Sequence, residues 1–254
     1  MKFKVIASGS KGNMTYIETD EAKILVDVGI SMREASRRTD IDFDDIDAII
    51  ITHEHGDHTK FLRTIAKKTN AIVYIHKATL ESYFNREHQE FNLKVNYIEP
   101  NMEYDIKDLK FETLKLSHDV PCLGFIFHHG DKSLGYITDT GFLPLPYIEK
   151  LRAVDSLVIE SNHDVEMLYN SERDWRLKER IYSVKGHMSN YICGQILNTV
   201  VQDQRIRNVV LAHLSEECNN EEIAVDTILE LIEGDYIPSI LIAKQDVSMK
   251  LIEV

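Results

Sequence analysis

The sequence predicts an α/β protein folded as a four-layer αββα sandwich, with two mixed sheets packed face to face and helices outside. β-type runs fall in two groups along the 254 residues, each followed by helical segments, the order such a sandwich requires. The two halves echo one another. Ile49-Ile50-Ile51-Thr52-His53 and Val209-Val210-Leu211-Ala212-His213 both run an apolar strand straight into a histidine. No low-complexity tract, Pro/Gly-rich linker or abrupt change of composition divides the chain, so it reads as a single domain over 1–254.

Short apolar runs place strands at 2–7, 14–19, 23–28, 47–52, 71–75 and 95–98, with helices at 31–39, 59–69 and 77–87. Successive strands follow at 103–106, 109–117, 123–129 and 132–138. His129-Gly130-Asp131-Lys132 supplies the tight turn between the last two. Beyond Asp139 the pattern turns helical at 144–151, then gives a strand at 157–160 and helices at 164–184 and 188–203. A strand at 208–213, a helix at 218–232 and strands at 239–243 and 247–252 close the chain.

Composition narrows the function. No apolar run approaches the roughly eighteen residues of a membrane span, and the N-terminal segment lacks a signal-peptide core. Cys122, Cys193 and Cys218 are odd in number and widely spaced. They read as small buried hydrophobes in a reducing cytoplasm, not as a zinc site or disulfide framework. A net charge of −13 argues against a surface that coats nucleic acid generically. It does not exclude a nuclease, because bound divalent ions add positive charge in a cleft.

The chemistry concentrates in Thr52-His53-Glu54-His55-Gly56-Asp57-His58, directly behind an apolar strand. Imidazole and carboxylate are the usual ligands of a divalent transition ion. His53 and His55, two apart, point to one side of an extended tip. Gly56 lets the backbone turn so that Asp57 and His58 face a second ion. Further candidates end other apolar runs: Asp27, His118-Asp119, Asp139, Glu160 and His213. Any one of them reads equally well as a cap or turn residue, but together they are what a rim-mounted active site needs.

With these residues in view, the chain resembles the metallo-β-lactamase fold superfamily, over about residues 1 to 250. Within it, the chain is similar to the YycJ/WalJ (VicX) group of 5′-to-3′ DNA exonucleases. The motifs that carry the group resemblance are Ser8-Gly9-Ser10-Lys11-Gly12-Asn13, Ser117-His118-Asp119 with Pro121 and Gly124-Phe125, Glu160-Ser161-Asn162-His163-Asp164, Lys185-Gly186-His187-Met188-Ser189-Asn190 and Ala212-His213-Leu214-Ser215. The resemblance implies that His53, His55 and His118 bind one ion. Asp57, His58 and His213 then bind a second, Asp139 bridges both, and Asp27 orients ligands from behind. Manganese and zinc are the expected metals, with iron possible.

A water shared by two such ions becomes a nucleophile near neutral pH, and the ions offset charge on a phosphoryl oxygen. Asp57 is placed to orient that hydroxide or take its proton. His187 is the candidate acid or phosphate clamp, with His163 in reserve and Glu160 holding one of these imidazoles. Ser189 and Asn190, at a helix start, are candidates for substrate binding. The Ser8–Asn13 segment reads as a tight turn shaping the rim. Basic residues at Arg173, Arg176, Lys178, Arg180 and Lys185 alternate with Glu172, Asp174 and Glu179 and read as a solvated helix face, with a strand-tracking surface as the alternative.

The expected function is therefore dinuclear-metal phosphodiester hydrolysis on DNA, exonucleolytic and in the service of DNA repair. The alternative is a small-molecule hydrolase on the same metals, a thioesterase or cyclic-nucleotide phosphodiesterase. A regulatory protein using the metals structurally is a third class, disfavoured by a ligand set that leaves open positions. Fewer than fifty residues separate Asp139 from His187, so no full β-CASP domain of the processive ribonucleases fits. Oligomeric state is not legible.

Overall fold

The computed structural model describes residues 1–89 and 91–254. The strands form two mixed seven-stranded sheets with helices against them, the fold class expected from the alternation of strand and helix. Contacts along the chain gather it into two units. One comprises Met1–Lys115, Val120–Leu123 and Ala243–Glu253; the other comprises Leu116–Asp119, Gly124–Ile242 and Val254.

In the first unit β1 (Lys2–Ala7), β2 (Met14–Glu18) and β3 (Lys23–Val26) make an antiparallel meander. The sheet then continues in parallel through β4 (Ala48–Ile50), β5 (Ile72–Ile75) and β6 (Val95–Tyr97). Parallel neighbours need crossovers. These are supplied by α1 (Met32–Arg38), by α2 (Gly56–Thr59) with α3 (Leu62–Thr69), and by α4 (Lys77–Glu87). α3 buries Leu62, Ile65, Ala66 and Thr69, a stripe at helical spacing, and stops where Asn70 turns left-handed at φ 57°. The core beneath includes Leu25, Ile49, Ile51, Val73 and Ile75. Each such side chain contributes about 1.5–3 kcal/mol through burial. β7 (Glu103–Ile106) and β8 (Leu109–Leu116) pair as an antiparallel hairpin.

In the second unit β9 (Cys122–His129) and β10 (Lys132–Ile137) form the expected hairpin, with His129 opposite Lys132. Gly130, at φ 60° in the first central position, gives the turn a twist that matches the strands. From β10 the sheet runs in parallel through β11 (Ser156–Glu160), β12 (Asn208–Ala212) and β13 (Ser239–Ile242). The helices α5 (Leu145–Leu151), α8 (Asn190–Val200) and α9 (Glu221–Leu231) lie between these strands in sequence.

Two expectations are corrected. The helix predicted over 164–184 is two helices, α6 (Val165–Asn170) and α7 (Trp175–Tyr182). The break falls at Ser171–Asp174, where the Asp174 carboxylate caps α7 by accepting from the Arg176 N–H. The strand predicted over 247–252 contracts to β14 (Ile252–Glu253), paired with β1 at Lys2 and Phe3. The three cysteines are buried, as expected. Among the described residues no helix is long and apolar enough to cross a membrane.

Candidate metal centre

Chemistry-bearing side chains gather at the C-terminal ends of parallel strands in both units, the end at which open α/β sheets bind ligands. In the first unit these are the adjacent strands β3 and β4. Asp27 follows β3 in a left-handed conformation, φ 59°, and is fully buried. Its carboxylate accepts from Thr52 N (2.9 Å), from the Thr52 hydroxyl (2.9 and 3.0 Å) and from His58 Nδ1 (2.7 Å). Burial pushes the Asp27 pKa up, and His58 and Thr52 oppose that rise.

These bonds fix tautomers. His58 Nδ1 carries the proton given to Asp27, so its Nε2 presents a lone pair. Thr52, whose hydroxyl hydrogen goes to Asp27, has only lone pairs left for His53 Nδ1 at 3.0 Å. His53 therefore also presents Nε2 as an acceptor. The ring centroids of His55 and His58 lie 4.6 and 4.2 Å from that of His53. At Gly56 the chain turns into the single turn of α2, bringing Asp57 Oδ2 to 3.3 Å from His58 Nε2. This loop sits so close to the Gly29 backbone that a Cβ there would stand 1.7 Å from the Asp57 carbonyl oxygen. The Ser8–Asn13 turn forms as expected, with Asn13 bonded both ways to Gly9. Asn13 Nδ2 also reaches His58 Nε2 at 3.0 Å and Asp57 Oδ2 at 3.2 Å.

The second unit repeats the device on three consecutive parallel strands. Asp139 follows β10 at φ 58°, Glu160 ends β11, and His213 follows β12 at φ 57°. The ligand-type atoms of Asp139, Glu160, His187 and His213 all lie within 4.8 Å of one another. Glu160, with no exposure, accepts from four donors. His187 Nδ1 (2.7 Å) and His213 Nδ1 (2.9 Å) meet Oε1; Thr140 N (2.9 Å) and Met188 N (3.1 Å) meet Oε2. Burial raises its pKa, but the two imidazoles and their hydrogen bonds outweigh it and hold the carboxyl well below the usual range. His118 gives its Nδ1 proton to the Gly186 carbonyl at 3.1 Å. Its ring lies 5.3 Å from that of His187, which is 5.2 Å from that of His213.

Five imidazoles thus have Nδ1 occupied by an oxygen partner and Nε2 left as a lone pair. This is the arrangement in which carboxylates or carbonyls orient metal-ligating histidines. The donor set, neutral imidazole and carboxylate without thiolate, fits zinc, manganese or iron. Left-handed backbone at Asp27, Asp139 and His213 costs on the order of 1 kcal/mol apiece and clusters at sites with work to do.

Comparison with known proteins agrees. The model of the β-lactamase superfamily domain matches residues 22–214. The chain belongs to the β-lactamase superfamily. Its fold is the metallo-β-lactamase fold, and it is a metal-dependent hydrolase. It is 34% identical over 240 residues to the exodeoxyribonuclease YycJ of Bacillus anthracis, covering 92% of this chain and 89% of that protein. It is 33% identical over 245 residues to the exodeoxyribonuclease WalJ of Streptococcus pneumoniae, with the same coverage. The metallo-β-lactamase fold protein YhfI of Bacillus subtilis superposes with a TM-score of 0.74 at 17% identity, over 98% of this chain and 99% of that one.

Not every predicted residue has the expected surroundings. Ser189 and Asn190, expected to meet substrate, are buried and taken up by the fold. Ser189 caps α8 by accepting from Ile192 N. Asn190 accepts from Ser161 Oγ (2.6 Å) and exchanges two bonds with Asn219. Glu160 holds two imidazoles where one was expected. The roles of Thr52 and Asn13 depend on contacts that spacing does not reveal.

His163 is buried, its Nδ1 3.3 Å from Asn162 Oδ1. Its Nε2 has no hydrogen-bond partner among the described residues. Burial lowers its pKa to about 4. A histidine kept neutral in the fold contributes stability that is whole above its unfolded pKa of about 6.5 and is lost as pH falls toward 4. His163→Gln is expected to reduce the loss of unfolding free energy between those limits by about 3 kcal/mol, read from urea titrations across the range. An unchanged pH dependence would remove His163 from the acid limb.

Proposed function

We propose that this chain is a 5′-to-3′ exonuclease acting on DNA in the bacterial cytoplasm, in the service of DNA repair. The observation that carries the reading is similarity over nine-tenths of the chain to two proteins named exodeoxyribonuclease. As the family pattern implies, His53, His55 and His118 hold one divalent ion, and Asp57, His58 and His213 a second, with Asp139 common to both. Manganese or zinc, if bound there, would supply an activated water and offset charge on the scissile phosphate.

The side chains do the rest. Asp57 orients the attacking water and takes its proton. Asp27 and Thr52 keep His58 and His53 in the ligating tautomer, and Asn13 holds Asp57 and His58 in place. His187, steadied through Nδ1 by Glu160, gives a proton to the departing oxygen or clamps the phosphate in its doubly protonated imidazolium form, with a proton on Nε2 as well.

The test is a digestion time course on end-labelled DNA. Metal-stripped protein is resupplied with manganese or zinc and given 5′-phosphorylated, 5′-hydroxyl and blocked ends. Stepwise loss from the 5′ end, absent in Asp57→Ala, is the expected result. Metal-loaded protein that leaves every DNA intact yet cleaves a thioester or cyclic nucleotide would overturn the reading.

A further inference from the structure

A groove of about 270 Å³ runs between α6 and α7, and its lining is almost wholly apolar. Leu168 forms part of the floor, and Tyr169, Trp175 and Tyr182 stand around it, 66%, 56% and 64% exposed. Three large aromatic rings this open on one short stretch of chain are costly to solubility and read as a contact surface. Their arrangement is fixed. Tyr169 meets Trp175 edge-on, with centroids 6.0 Å apart and planes at 88°. Trp175 Nε1 donates to Glu179 Oε1 at 2.9 Å, which pins the indole and occupies the one acid on the helix.

The charges around the groove favour an anionic occupant. In a chain where 42 acidic residues outnumber 29 basic ones, residues 172–185 carry five basic side chains against three acidic. Arg173 and Arg180 are paired with Glu217 and Asp119. Lys178 Nζ rests on the Tyr169 and Ser171 carbonyls, so its charge is not neutralised. Arg176 and Lys185 have no acidic partner among the described residues.

The groove is tied to the second ligand group through the chain, and the Tyr182 ring on its wall lies 6.4 Å from that of His163. His187 lies five residues beyond Tyr182, and the link is rigid. His187 N donates to the Ile181 carbonyl at 2.9 Å. Gly186 packs so tightly that a Cβ would stand 2.1 Å from the Arg180 carbonyl oxygen. The Gly186 carbonyl in turn orients His118. α7 therefore stands next in the chain to His187 and is held to it by backbone contacts.

We propose that Trp175, Tyr169 and Tyr182 form a stacking platform for unpaired bases of the substrate, with Arg176, Lys178 and Lys185 facing its phosphates. This rests on the nuclease reading and narrows it to a single strand, because only unstacked bases offer a face to an aromatic ring. Trp175 is the one tryptophan in the chain, so its emission reports the event without a label.

Titrating the metal-free full chain with a 5′-phosphorylated oligothymidylate quenches Trp175, while a blunt duplex does not. Trp175→Ala raises the Kd for the single strand, read for the variants by anisotropy of a dye-labelled oligothymidylate, and its KM about 5- to 100-fold with kcat little changed, and Trp175→Phe restores both. Wild-type protein that degrades DNA with Trp175 emission and KM indifferent to strand and mutation overturns the platform and leaves the nuclease standing. Wild type that cleaves no DNA at all overturns the nuclease reading itself, and the platform with it. Sedimentation showing a wild-type dimer that Trp175→Ala converts to monomer assigns the groove to a second copy and ends the proposal.

Discussion

Replacing Asp139 by alanine is expected to abolish hydrolysis while leaving a folded protein. Asp139 stands just past β10 in a left-handed turn, its Oδ1 3.5 and 3.8 Å from the Nδ1 atoms of His213 and His187. It is the ligand proposed to serve both ions, and the neighbouring Glu160 carboxylate is committed to four donors. Losing several kcal/mol of charge stabilisation in the transition state corresponds to a rate lower by about three orders of magnitude or more. The backbone cost is smaller, on the order of 1 kcal/mol for alanine at positive φ. Asp139→Asn, which tolerates that conformation better, separates the two effects: near-wild-type melting with activity still lost. Full activity in either variant would remove Asp139 from the centre.

The largest loss of stability is expected from Glu160→Ala. The four donors that converge on this carboxylate come from three distant stretches of chain, at Thr140, at His187 and Met188, and at His213. Truncation leaves two backbone N–H groups and two imidazole N–H groups without it, each buried unpaired donor costing about 1–3 kcal/mol. Even with partial relaxation, about 4 kcal/mol disappears, a large share of the 5–15 kcal/mol typical of a folded protein. Glu160→Gln keeps one oxygen but turns an amide N–H₂ toward donors, so it falls between. Because the folded pKa is depressed, the stability due to Glu160 is whole above about pH 4.5 and declines as pH drops below it. Urea unfolding of both variants at neutral pH measures the effect. An alanine variant as stable as wild type would show that the hydrogen bonds at Glu160 carry no weight.

What was legible in the sequence follows from the range of the interactions involved. The run from Thr52 to His58, and the polar residues ending other apolar strands, are local signals. Parallel strands that end level with one another collect them without further information, as β10, β11 and β12 collect Asp139, Glu160 and His213. The double duty of Glu160 was not legible, because His187 and His213 reach it from 27 and 53 residues away. The Asp27–Thr52–His58 relay likewise spans up to 31 residues. The partners of Ser189 and Asn190 within the fold were not legible, because a helix start with polar side chains looks alike whether those groups face ligand or cap the helix. The break between α6 and α7 was hidden for a related reason: Ser171 and Asp174 are unremarkable on an exposed helix face until their side chains turn to the backbone.

A two-metal hydrolase centre in this fold is tested by counting the ions it holds. Protein stripped with chelator, reloaded with manganese or zinc and desalted is analysed by plasma mass spectrometry beside its His58→Ala and Asp139→Ala variants. About two ions per wild-type chain are expected, with a clear deficit in both variants. Wild type that retains none, or variants that retain as much as wild type, would contradict a two-metal centre.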